Sequence, residues 1–167
     1  ADILFERGYR DEACPIYKEV LEMEPDRAQS LSRVSIIYAL DGKLEEAAGL
    51  ARQIFAKGLV GQITEEYGKA LDCQPNDAAY HIKMGEFFRQ LGFLEEAIDE
   101  FHKAITDPAK VLIAVNSLAM AFQDKGYRDL AIKQLQKTME QPGFSDEELL
   151  DLRYNLAIIL QAEGRYD

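Results

Sequence analysis

Two histidines, two cysteines and four Glu-Glu pairs are the residues of this 167-residue chain whose types could carry chemistry. His81 and His102 are its only imidazoles, and an imidazole can serve as general acid, general base or metal ligand. They fall in different helices of one expected hairpin. His81 also lies on an apolar stripe, where a packed, hydrogen-bonded histidine is the simpler reading. The pairs Glu45–Glu46, Glu65–Glu66, Glu95–Glu96 and Glu147–Glu148 suit acid/base work or a hard cation. They recur mostly in the first turns of expected helices, where the positive end of the helix dipole favours a solvated carboxylate. Cys14 and Cys73 are not spaced as a zinc or redox pair. Each sits on a helical stretch among apolar neighbours, which reads as a buried, reduced thiol and a cytoplasmic setting. No glycine loop for phosphate, oxygen-ligand metal loop or nucleophile elbow occurs. The sequence therefore predicts no catalytic residue, no metal, no cofactor and no enzyme.

Charge points to a different kind of work. Asp and Glu outnumber Lys and Arg by 30 to 19, a formal net charge of −11. That field repels phosphate backbones and anionic lipid, so nucleic acid and membrane surfaces are poor partners and a basic or apolar protein segment is a good one. No apolar run approaches the roughly 20 residues that cross a bilayer. Residues Ala1 to Arg10 carry mixed charge and lack the order of a signal peptide.

The elements that position these residues repeat. Gly8, Gly42, Gly58, Gly92, Gly126 and Gly164 are separated by 34, 16, 34, 34 and 38 residues. Four of them open one phrase: Gly8-Tyr-Arg-Asp-Glu-Ala13, Gly42-Lys-Leu-Glu-Glu-Ala47, Gly92-Phe-Leu-Glu-Glu-Ala97 and Gly126-Tyr-Arg-Asp-Leu-Ala131; Gly164-Arg-Tyr-Asp167 begins it again. Glycine ends one helix in a left-handed conformation, the acidic residues start the next, and alanine lets two helices approach. Before the turns run the stripes Leu31, Val34, Ser35, Tyr38; His81, Met84, Gly85, Phe88; Val115, Leu118, Ala119, Phe122; and Arg153, Leu156, Ala157, Leu160, each at helical i, i+3, i+4, i+7 spacing. After them run Ala13, Tyr17, Val20; Ala97, Phe101, Ala104; and Ala131, Leu135, Thr138, with Pro25, Pro75, Pro108 and Pro142 closing the second helices.

This pattern resembles the tetratricopeptide repeat (TPR) family, a 34-residue helix–turn–helix unit. Asp77 to Pro108 carry the resemblance best through Met84-Gly85, Phe88, Gly92, Ala97, Phe101 and Ala104. It extends over nearly the whole chain in consecutive copies. The resemblance implies an all-α solenoid of about ten antiparallel helices, forming hairpins that wind into a right-handed superhelix. RNA-binding helical repeats of similar period are disfavoured by the acidic charge.

The step of 16 residues from Gly42 to Gly58 is half a repeat. Leu44 to Lys57 reads equally as the second helix after Gly42 and as the first helix before Gly58. Ile63, Tyr67, Ala70, Leu71 and Pro75 then form the second helix of a degenerate repeat. The expected organisation is a block at 1–57 (a partial repeat and one repeat) and a block at 58–167. A half-repeat that reverses the stack, a local hinge at Gly58 to Gly61 and a stretch missing from the sequence are the three explanations. The chain opens inside a first helix and closes after a turn without a polar cap, which suggests a piece of a longer array or homo-oligomers formed through uncapped ends.

Family resemblance also implies where a partner binds, since first helices line a concave surface. That face presents Ser32, Ile36, Ala39; Ile82, Glu86, Arg89; Asn116, Met120, Gln123; and Tyr154, Ile158, Gln161, each triplet aligned on one side of a helix. Ile36, Ile82 and Ile158 read equally as contacts to the next helix. The carboxylate clamp of chaperone-tail binders and the asparagine ladder of sugar transferases fit poorly: Lys83, Asn116 and Arg153 are scattered, and Arg33, Lys83 and Ser117 interrupt a ladder of which only Asn155 remains. The expected function is a non-catalytic scaffold that holds a peptide with apolar anchors and basic flanks. The alternatives are the interaction domain of a larger transferase or kinase, and a self-assembling array.

Overall fold

The structure, a computed structural model, describes residues 1–71 and 77–162. Cys73, Pro75 and the phrase begun at Gly164 lie outside the described residues. Ten helices and no strand occur within them: α1 (Asp2–Glu6), α2 (Arg10–Met23), α3 (Ala28–Leu40), α4 (Leu44–Phe55), α5 (Val60–Leu71), α6 (Ala78–Leu91), α7 (Leu94–Ala104), α8 (Val111–Asp124), α9 (Arg128–Met139) and α10 (Leu150–Ala162).

The recurring phrase makes the turn that its residues predict. Gly42 and Gly92 have φ of 81° and 84°, a region that costs other residues more. The amides after them reach back across the turn, Lys43 to the Tyr38 carbonyl at 2.8 Å and Phe93 to the Phe88 carbonyl at 2.9 Å, closing the orphan carbonyls of the helix end. Glu45–Glu46 and Glu95–Glu96 then occupy the first turns of α4 and α7. Asp77 caps α6, its Oδ1 accepting from the amides of Ala79 (2.9 Å) and Tyr80 (3.3 Å).

Hairpins α1–α2, α3–α4, α6–α7 and α8–α9 stack, with α2, α7 and α9 each also packed on the following helix. Where paired helices cross, the stripe supplies a small residue. The Ser35 hydroxyl donates to the Ala47 carbonyl at 2.8 Å, and Gly85 faces the ring of Phe101. The stripes of α3, α6 and α8 are buried as expected, save for half-buried Tyr38 and Phe122. The α10 stripe is a correction: Arg153 and Ala157 are exposed, while Leu152 and Ile159 are buried. Among the described residues, helix α10 packs mainly on α8 and α9, and its side towards them is the covered one.

Around the 16-residue step, α4 is the second helix of the α3 hairpin. The backbone turns at Gly58 (φ 72°), bonded from the Leu59 amide to the Ile54 carbonyl and from the Gln62 amide to the Leu59 carbonyl. Helix α5 then packs mainly across α3, and more lightly on α1 and α4, while α6 packs directly on both α3 and α4. Ten of the thirteen residues of α3 are buried as a result, as expected of a helix surrounded on all sides.

Candidate functional site

Ser32, Ile36 and Ala39, expected on an open groove, are fully covered. This corrects the expectation for α3: α5 and α6 both pack on it and close that face. An ion pair joins α3 to α5. Arg33 Nε donates to Glu66 Oε2 at 2.6 Å, with both side chains almost wholly buried. The same guanidinium reaches Asp2 and the Tyr17 hydroxyl, each at 2.5 Å, and lies over the Phe5 ring at 5.1 Å. Glu66 also accepts from Lys69 at 2.9 Å. Of the acidic pairs, Glu65–Glu66 is thus no solvated first turn.

An open cleft remains further along the chain. It encloses about 600 Å³ between α6, α8 and the segment from Phe144 to Leu152. Its walls are Pro108, Ala109, Leu112, Ile113, Met120, Phe144 and Leu152, with Glu86, Arg89, Asn116, Ser117, Glu148 and Asp151 among them. Four of the expected groove residues, Glu86, Arg89, Asn116 and Met120, come together here. Ile82 does not: it is taken up by packing against Ala78, Ala104 and Ala114. Gln123 is half-buried outside the cleft, and Tyr154, Ile158 and Gln161 stand exposed on α10 away from it. Sequence reasoning missed Ile113, Phe144 and Leu152. The first is an apolar residue at the start of α8, more than half exposed at 53%.

Charges in the cleft are arranged unevenly. Burial pushes the Glu86 carboxyl above the usual carboxylate range, against the pull of Arg89, the Ser117 hydroxyl and Lys83. Arg89 is engaged by Asp124 at 2.8 Å. Glu148 is held below the usual range by the amide and hydroxyl of Ser145, each 2.8 Å from its Oε2. Ser145 Oγ accepts from the Glu148 amide in turn, a capping box that fixes the cleft wall before α10. Asn155 Nδ2 donates to Asn116 Oδ1, tying α10 to α8.

Each histidine contacts a neighbour within its hairpin or the next. His81 Nδ1 is 2.6 Å from Glu100 Oε2, with both residues buried, and Lys103 reaches the other oxygen of Glu100 at 2.5 Å. His102 stacks edge-on to Phe122, ring centroids 6.3 Å apart. Cys14 is a free, half-buried thiol whose pKa burial pushes up. No helix among the described residues is long and apolar enough to cross a membrane.

No protein-family model and no curated protein matches the sequence. Solved structures do match its fold. The nearly identical TPR-like repeats of a Podosopora anserina kinesin light chain align at 19% identity over 99% of this chain and 84% of that one, TM-score 0.55. MamA aligns at 20% identity over 98% and 84%, TM-score 0.52. PilF of Pseudomonas aeruginosa aligns at 18% identity over 98% of this chain and 65% of its own, TM-score 0.52. Hairpins, turn glycines and these neighbours agree, and the chain has the fold of a tetratricopeptide repeat solenoid.

Proposed function

We propose that the chain is a non-catalytic scaffold that holds a short segment of a partner protein in the cleft between α6 and α8. The observation that carries this reading is the cleft itself: an apolar floor of Leu112, Ile113, Met120 and Phe144 beside the carboxylates Glu86, Glu148 and Asp151. An apolar centre with a polar rim is the anatomy of a protein interface. In a chain of net charge −11, the matching segment has apolar anchors and Lys or Arg flanks. The acidic surroundings speed encounter, and the buried anchors set residence time. A right-handed superhelical winding and a cytoplasmic setting accord with the stacked hairpins and the free thiol of Cys14. As part of a larger enzyme, the same cleft would recruit substrate proteins.

Selection from a random peptide library tests the reading. Bound peptides are expected to pair apolar anchors with basic flanks and to lose affinity on Ile113→Ser. Enrichment of acidic peptides, or retention of affinity in that variant, would overturn it.

A second reading, self-assembly, is favoured by α10, where Leu150, Tyr154 and Ile158 are 57%, 68% and 38% exposed. Light scattering across a concentration series distinguishes the two: a constant mass leaves only the first.

A further inference from the structure

We infer that the face of α1, α3 and α6 beneath α5 is a second binding groove, and that α5 is its resident occupant, exchangeable for a helical segment of the same chemistry. The position of this groove on α3 corresponds to that of the open cleft on α8, but a helix bound here does not require that the cleft hold a partner.

Helix α5 is supernumerary. The turn glycines from Gly8 to Gly126 recur every 34 residues except at the step of 16 that admits it. The helices on either side already touch, because α6 packs on both α3 and α4. The backbone stack is thus continuous beneath α5, whose closest backbone packing is with α3 and whose Tyr67 also reaches the rings of Tyr80 and Phe88 on α6.

The position that holds α5 is a groove position. Arg33 follows Ser32 on α3 as Ser117 follows Asn116 on α8. Asn116 and Ser117 line the open cleft, whereas Arg33 is 1% exposed, met by Glu66 of α5 together with Asp2, Phe5 and Tyr17 of α1 and α2. Ile63 and Tyr67 are also buried, Tyr67 against the rings of Tyr80 and Phe88 on α6. Ile63 and Tyr67 stand three residues before and one after Glu66, so helical geometry places all three on one side of α5. An amphipathic helix laid into a groove by such anchors is a general mode of peptide recognition. A buried ion pair fixes position more than it adds stability, which makes Glu66 a recognition element that another helix can supply. At the entry to α5, Gly58 takes a left-handed φ of 72°, and Gly61 has open space around it. The partner chemistry follows: a helix with two apolar anchors and a carboxylate between them, opposite in charge to the segment expected in the open cleft.

Hydrogen exchange on the intact chain, together with titration of a labelled synthetic peptide of residues 58–71, tests this. Amides of α5 should exchange about tenfold or more faster than those of α3 and α6, through an opening that leaves the stack protected. The peptide should bind the chain in trans, about tenfold more tightly when the chain carries Glu66→Gln and the resident helix is weakened. The same substitution in the peptide should weaken it. Equal exchange of α5 and α3 amides overturns the inference, as does failure of the peptide to bind the Glu66→Gln chain. Should that variant not fold, the exchange comparison on the unsubstituted chain decides alone.

Discussion

The ring of Phe101 lies so close to Gly85 that a methyl group on residue 85 would sit 2.5 Å from Phe101 Cε1. Phe101 is fully buried, so the ring has no open solvent beside it to move into. The glycine is thus what lets α6 and α7 approach as one hairpin. Gly85→Ala gains about 1 kcal/mol of helix propensity and loses about 1–3 kcal/mol to overpacking. Net destabilisation is expected in urea titration; an unchanged or raised midpoint would show that the ring gives way.

Arg33 and Glu66 predict a non-additive pair. Removing one partner of a buried ion pair costs about 3–5 kcal/mol, because the other charge is stranded. Glu66→Leu alone and Arg33→Met alone are each expected to destabilise strongly. The double variant should recover part of that loss, though Asp2 and Tyr17 also lose a partner in Arg33. A double-mutant cycle in denaturant measures the coupling.

Glu86 predicts a pH signature. Its raised folded-state pKa means that, between the unfolded and folded values, the native chain binds more protons than the unfolded one. Its contribution to stability therefore falls as pH rises through that window. A basic partner needs the ionised form, so affinity runs the other way and drops as pH falls through the same window. Titrating partner affinity from about pH 7 to about pH 4 should show a step above the usual carboxylate range. The step should be absent in Glu86→Gln.

Met120 and Ile113 are exposed at 36% and 53%. Alanine at either should weaken a cleft-bound segment by roughly 1–2 kcal/mol while moving stability by no more than about 0.5 kcal/mol. Tyr154→Ala, outside the cleft, should leave that affinity unchanged. Calorimetry with a selected peptide and a thermal melt of each variant separate the two effects.

Local chemistry explains what could be read in advance. Turn glycines, acidic first turns and small stripe residues act within one hairpin, so Gly92, Glu95 and Gly85 announce α6 and α7 without reference to distant chain. The covered face of α3 was not legible in the same way. Ile36 reads equally as a contact to the next helix, but nothing near Ser32 or Ala39 says that α5 and α6 will both pack over this face, although an arginine within the mostly apolar and small run of α3 is a trace of the buried partner at Glu66. The stripe of α10 shifted because the period finds a face but not its neighbours, which among the described residues are mainly α8 and α9. Phe144 escaped notice because it lies in a connection without period. The Ser145–Glu148 capping box was the signal that this connection is ordered.

The direct contact of α6 with both α3 and α4 carries a consequence for how such a chain can change. Away from the buried Arg33–Glu66 pair and from Tyr67, the exposed side of α5 is a site of low mutational coupling. Substitutions on the outer surface of α5 alter what the chain shows to its surroundings without disturbing the alignment of the hairpins before and after it. Such a helix gives the array a place to vary independently of its own architecture.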